Sequence, residues 1–154
     1  MNIAAAALKA PTEDTLDAWL NTPRLSKCGE FFTPSEPRWW PDRSAPHAVY
    51  WQKSLACVPS EWQRWLHAAL AYRMAECAQA TILLITSILS RAAQVGLDPL
   101  NELHLIDYRE RFSGGELSVL TGFIKFWHTC ESLEKRPSKA LIDAYDTLPR
   151  KKKL

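Results

Sequence analysis

From residue 59 onward the apolar positions recur at helical spacing. Pro59 is an allowed first-turn residue, and Trp62, Trp65, Leu66, Ala69, Leu70 and Arg73 follow at that spacing. A second stripe runs through 75–95, with Ile82, Ile85, Leu89 and Ala92 in line and Leu84 and Ile88 beside them. So wide a stripe predicts a helix packed on two neighbours. Residues 74–79 hold no strong breaker, so one helix or two is open, although a single helix of about 35 residues is long for a globular domain. Gly96 is the natural stop and Leu97-Asp98-Pro99 a turn. A shorter helix is expected over 104–112 with Leu105, Ile106, Tyr108 and Phe112 inward, and Ser113-Gly114-Gly115 turns the chain again. Leu117, Leu120, Phe123, Ile124 and Trp127 then trace a fourth helix ending near Leu133. Pro137 breaks it, and 140–145 forms a last turn.

Before residue 58 the texture differs. Pro11, Pro23, Pro34, Pro37, Pro41 and Pro46 alternate with Trp19, Trp39, Trp40 and Trp51, which rules out long helices. One short helix is expected behind Thr12, with Glu13 and Asp14 in its first turn and Leu16, Trp19 and Leu20 on its apolar face. A second is expected over 48–56, carrying Val49, Trp51 and Leu55. Residues 24–46 read as irregular but ordered, because Phe31, Phe32, Trp39 and Trp40 are too much apolar surface to leave in water. Two readings stay open for those four: packing on the helical core, or a sticky surface for a partner. No run of alternating β-branched residues predicts a strand. The fold class is therefore all-α, a small bundle of four to five helices with a Pro/Trp-rich, largely irregular N-terminal arm. The chain divides into an arm over 1–58, a helical domain over 59–148 and a basic tail over 149–154.

With 47% hydrophobic and 23% charged residues, the 154-residue chain has an ordinary globular mix, not a disordered one. A net charge of +2 permits a nucleic-acid partner only if the cations gather on one face. Cys28, Cys57, Cys77 and Cys130 lie at wide, irregular spacings that suit neither a disulfide framework nor a metal site. The apolar run 4–8 has no basic residue ahead of it and is too short for a signal segment. No stretch approaches the roughly 18 apolar residues of a membrane span. These features lead to the expectation of a cytoplasmic protein without a membrane partner.

Enzymatic motifs are missing. The five glycines form no phosphate loop, and there is neither an H-E-x-x-H nor a G-x-S-x-G. His47, His67, His104 and His128 are scattered without a regular acidic companion. The expectation is a non-catalytic chain with no cofactor and no metal. The cations of the helical part, among them Arg64, Arg73, Arg91, Arg109, Arg111, Lys125, Lys135, Arg136 and Lys139, are interleaved with Glu76, Glu102, Asp107, Glu110, Glu116, Glu131 and Glu134. They read either as an ordinary solvated face or as phosphate contacts.

Over residues 60–148 the order of elements resembles the core-binding (SAM-like) domain of tyrosine recombinases and phage integrases. The residues that carry the likeness are Ala78-Gln79-Ala80-Thr81 opening the stripe to Ala93, the turn Leu97-Asp98-Pro99, the phrase Leu103-His104-Leu105-Ile106-Asp107-Tyr108, and Leu120 to Trp127 with His128. The family's His-x-x-Arg motif is not among the four histidines. The resemblance thus implies a DNA-binding module for site-specific recombination that lacks the cleaving apparatus, and a tail, Pro149-Arg150-Lys151-Lys152-Lys153, similar to the family's basic linker. It implies double-stranded DNA as the partner, with Arg73, Gln79, Thr81, Arg91, Ser118 and Lys125 as DNA-binding positions. Arg73, Gln79, Thr81 and Lys125 are then expected to share one positive concave face. The alternative is a helical protein–protein interaction or assembly domain, self-associating through the aromatic arm.

Overall fold

The computed structural model describes residues 11–149. The apolar run 4–8 and the basic tail from Arg150 lie outside the described residues. The fold is mostly helical with one minimal sheet. A turn over 12–15, closed by the Thr15 amide on the Thr12 carbonyl at 3.1 Å, leads into helix α1, Leu16–Leu20. Leu16, Trp19 and Leu20 are buried, as their spacing predicts.

Strands β1 (Arg24–Leu25) and β2 (Phe31–Phe32) then form an antiparallel hairpin, with Arg24 opposite Phe32 and Leu25 opposite Phe31. Two residues are too few to show alternation, which is why the pattern along the chain predicts no strand. The hairpin loop closes through the Ser26 amide on the Glu30 carbonyl at 3.0 Å, with Gly29 at φ +91.

The expected helix over 48–56 is a 3-10 helix, Gln52–Cys57. It starts late because Val49 is held extended, exchanging backbone hydrogen bonds of 2.8 and 2.9 Å with Trp39. Helices α2 (Ser60–Met74) and α3 (Gln79–Gln94) are separate. The interruption is tertiary. The Lys27 amide of the hairpin donates to the Met74 carbonyl at 2.9 Å, satisfying one of the groups a helix end leaves orphaned. Ala78 then turns extended, at φ −58 and ψ 150, to start α3 in a new direction.

After Gly96, at φ +72, a second 3-10 helix (Glu102–His104) runs into α4, Leu105–Arg111. Leu105, Tyr108 and Phe112 face the core, whereas Ile106 does not and is 49% exposed. Residues 105 and 106 stand about 100° apart on a helix, so this short helix buries only one of them. Helix α5, Gly114–Thr129, opens with a full capping box in which Ser113 and Glu116 exchange hydrogen bonds of 3.1 Å. It stops four residues before Leu133, which is buried by the turn that follows. The last turn is a helix, α6, Lys139–Thr147, capped by the Ser138 hydroxyl.

Arm and bundle share one core. Trp39 is fully buried between Phe32, Trp51 and His67, and α3 makes its most extensive contact with the arm's 3-10 helix, followed by α5. Burying several large aromatics in this way is worth about 2–3 kcal/mol each. Among the described residues no helix is long and apolar enough to cross a membrane.

Candidate nucleic-acid interface

The six positions implied by the resemblance differ in their surroundings. Arg73 closes α2, where it pairs with Glu76 at 3.6 Å and lays its guanidinium 4.7 Å from the Phe126 ring of α5. Lys125, one residue away on α5, turns instead to α6 and pairs with Asp146 at 2.5 Å. Arg91 sits over Phe112 at 5.0 Å and pairs with Glu116 at the opposite end of α5. Each of these three cations has an acidic partner, so its positive charge is offset locally. Thr81 and the exposed Ser118 keep hydroxyls without a hydrogen-bond partner among the described residues.

Gln79 faces inward. Its carboxamide is buried and bonded at both ends: Nε2 donates to the His47 carbonyl at 2.7 Å, and Oε1 accepts from the Asp42 amide at 3.1 Å. It therefore holds both ends of the loop 42–47 against the start of α3. Trp40 braces the same loop, donating its indole N–H to the Ala45 carbonyl at 3.1 Å.

That loop carries cations of a different kind. Arg43 lies 4.8 Å and Arg38 5.8 Å from the Trp40 ring, and neither has an acidic partner within ion-pair distance among the described residues. Both are exposed. With Phe31, Phe32, Glu36 and Pro41 they line a cleft of about 200 Å³, which adjoins a shallower depression reaching Cys28, Glu30 and Asp42. Glu36 and Glu30 are exposed acids at its rim. The Asp42 carboxylate accepts from the Ser44 hydroxyl and amide, bonds that hold it below the usual carboxylate range.

Phe32 and Trp39, two of the four arm aromatics, pack on the core, while Phe31 is 55% exposed and Trp40 half-buried. The four therefore divide between core and surface, and for the two phenylalanines the strand register separates them. Arg38 and Arg43 escape a reading confined to the cations of the helical part. The signal that marks them is Arg38-Trp39-Trp40-Pro41-Asp42-Arg43, aromatic residues bracketed by cations.

The buried titratable groups serve the fold. The His67 Nε2–H donates to the Pro34 carbonyl at 2.7 Å, and burial pulls the imidazole down to about 4. Tyr108 and Tyr145 donate to the Leu97 and Pro99 carbonyls at 3.1 and 2.6 Å, and burial pushes both phenols up. The Cys57 thiol is likewise pushed up by burial, so it is not a thiolate at neutral pH. Among the described residues no three His, Cys, Asp or Glu side chains gather as a metal site would need. Comparison with known families, with curated proteins and with solved structures finds no match.

Proposed function

We propose that this chain is a non-catalytic nucleic-acid-binding module that holds double-stranded DNA through its phosphates, as expected of a recombinase-type core-binding domain. The observation that carries the reading is the pair Arg38 and Arg43, exposed, without acidic partners and fixed on Trp40. Guanidinium groups on an aromatic plane keep their N–H edges free for bidentate contact with phosphate. Arg73, Arg91 and Lys125 contribute less, because a phosphate must displace Glu76, Glu116 or Asp146 first. The contact surface therefore lies on the arm. The test is anisotropy of a labelled duplex titrated at two salt concentrations. Affinity falling with salt at a slope of about −0.9 per phosphate contacted supports the module, and absence of binding at low salt removes it.

A second reading is favoured by a separate feature. Leu103 is 84% exposed and, with Ile106, borders a shallow cleft of about 290 Å³ lined also by Leu105, Ala144, Leu148 and Pro149. Exposed apolar side chains of this kind, here beside Glu102 and Thr147, suit a protein–protein contact. Light scattering of a Leu103→Ser, Ile106→Ser double variant tests it: an assembly that persists unchanged in the variant excludes this patch as the contact.

A further inference from the structure

We infer that the cleft beside Trp40 takes one unpaired nucleobase, stacked on Phe31, so that the module prefers a single-stranded segment over a continuous duplex. The inference rests on the nucleic-acid reading above and names the ligand of that same surface. Strand β2 decides which aromatic is available. Phe32 turns inward, its ring 5.2 Å from that of Trp39, so the neighbouring Phe31 must project to the opposite face. No other ring or guanidinium of the described residues occupies the Phe31 ring, in contrast to Trp40, which carries two guanidinium groups. Three roles result. Trp40 spaces the cations, Arg38 and Arg43 meet phosphates, and Phe31 offers a free π-face.

A free π-face has no use on a continuous duplex, whose bases already stack on one another and show only their edges. It has a use on a single strand, where aromatic platforms beside cationic grooves bind bases without regard to sequence. The size of the cleft agrees. About 200 Å³ lies below the range that encloses a drug-sized ligand, yet suffices for one flat heterocycle in a cleft open to solvent. The rim acids Glu36 and Glu30 stand beside the cations and favour a ligand that brings a base as well as phosphates, since charge alone is partly offset there.

The experiment compares a labelled deoxythymidine oligomer of about 12 nucleotides with a hairpin duplex of the same charge, on the wild-type chain and three sets of variants. Phe31→Leu keeps an apolar side chain and removes the stacking plane. Arg38→Ala with Arg43→Ala removes the cations, and Tyr50→Ala removes an aromatic that is equally exposed but outside the cleft. The expected result is tighter binding of the single strand, weakened about tenfold in Phe31→Leu and unchanged in Tyr50→Ala, with duplex binding untouched by Phe31→Leu. The arginine double variant binds both ligands more weakly. Equal affinity of single strand and duplex, or a Phe31→Leu variant that binds the oligomer like the wild type, overturns the stacking site while leaving duplex binding standing. Binding of neither nucleic acid overturns this inference together with the reading it rests on.

Discussion

The imidazole of His67 lies flat against the indole of Trp51, with ring centroids 3.7 Å apart and planes inclined by 20°. Trp39 flanks the same imidazole at 5.9 Å. The arm thus grips α2 through a histidine that must be neutral, since a charged imidazole there loses its hydration without gaining a counter-ion.

The sign of the resulting pH dependence follows from the depressed value. His67 titrates at about 4 in the folded chain and near 6.5 when unfolded. The unfolded state therefore binds the extra proton between those values. This contribution to stability is full above pH 6.5 and is lost as the pH falls toward 4, by up to about 3 kcal/mol. Asp98, raised by burial, works in the opposite direction, so the difference between two chains is the clean measurement. Urea midpoints of wild type and His67→Phe at pH 7.5 and 4.5 are expected to converge on the acid side. Parallel curves for the two would remove His67 as the source.

Gln79 links the start of α3 to the cationic loop, so its loss is expected to act twice. Gln79→Ala leaves the Asp42 amide and the His47 carbonyl without partners, at a cost of about 1–3 kcal/mol in thermal unfolding. Affinity for nucleic acid falls with it, because Arg43 and Trp40 lose their brace. Thr81→Ala, two residues on, is expected to leave stability within about 0.5 kcal/mol of wild type.

Charge removal separates the arm from the bundle. Arg38→Ala with Arg43→Ala is expected to lower the salt slope of duplex binding by about 2, one unit for each phosphate left without its guanidinium. Lys125→Ala and Arg91→Ala are expected to change it little, since each also frees an acid, Asp146 or Glu116. Their ion pairs are solvent-exposed, so stability moves by less than about 1 kcal/mol. Slopes measured by anisotropy over a salt series decide between the two surfaces.

Two tyrosines pin one loop. Tyr145→Phe removes the 2.6 Å bond to Pro99 and Tyr108→Phe the 3.1 Å bond to Leu97, each at about 1–1.5 kcal/mol. Because both hold residues 97–99, the double variant is expected to cost less than the sum in denaturant unfolding. Strict additivity would show that the loop is held elsewhere.

The helices were legible because each buries a stripe that recurs at 3.6 residues, and Gly96 and Ser113 mark ends, whereas α5 stops at Thr129, well before the breaker Pro137. The break between α2 and α3 was not. No residue in 75–78 is a breaker, and the stop comes from Lys27, far off in the chain. Gln79 was legible as special and illegible in direction: a polar residue opening a helix suggests a ligand, but its partners are the carbonyl and amide of a loop whose path depends on proline geometry. Phe31 and Phe32 are the same residue type side by side, and only pairing with Arg24 and Leu25 tells which one meets solvent.

The shared core has a consequence for anyone dividing this chain. Val49, Trp51, Cys57 and Val58 lie in the same apolar cluster as Ile85, Leu89 and Phe123. A cut at residue 58, where the sequence changes texture, would expose the inner face of α3 as a fresh apolar wall rather than liberate a finished bundle. The arm is accordingly not a transferable tag. Grafted elsewhere, Arg38 and Arg43 would lose the brace that sets their spacing. Any partner that binds them also pulls on the core, and ligand binding should therefore register as slowed amide exchange at Val49 and at the first turns of α3.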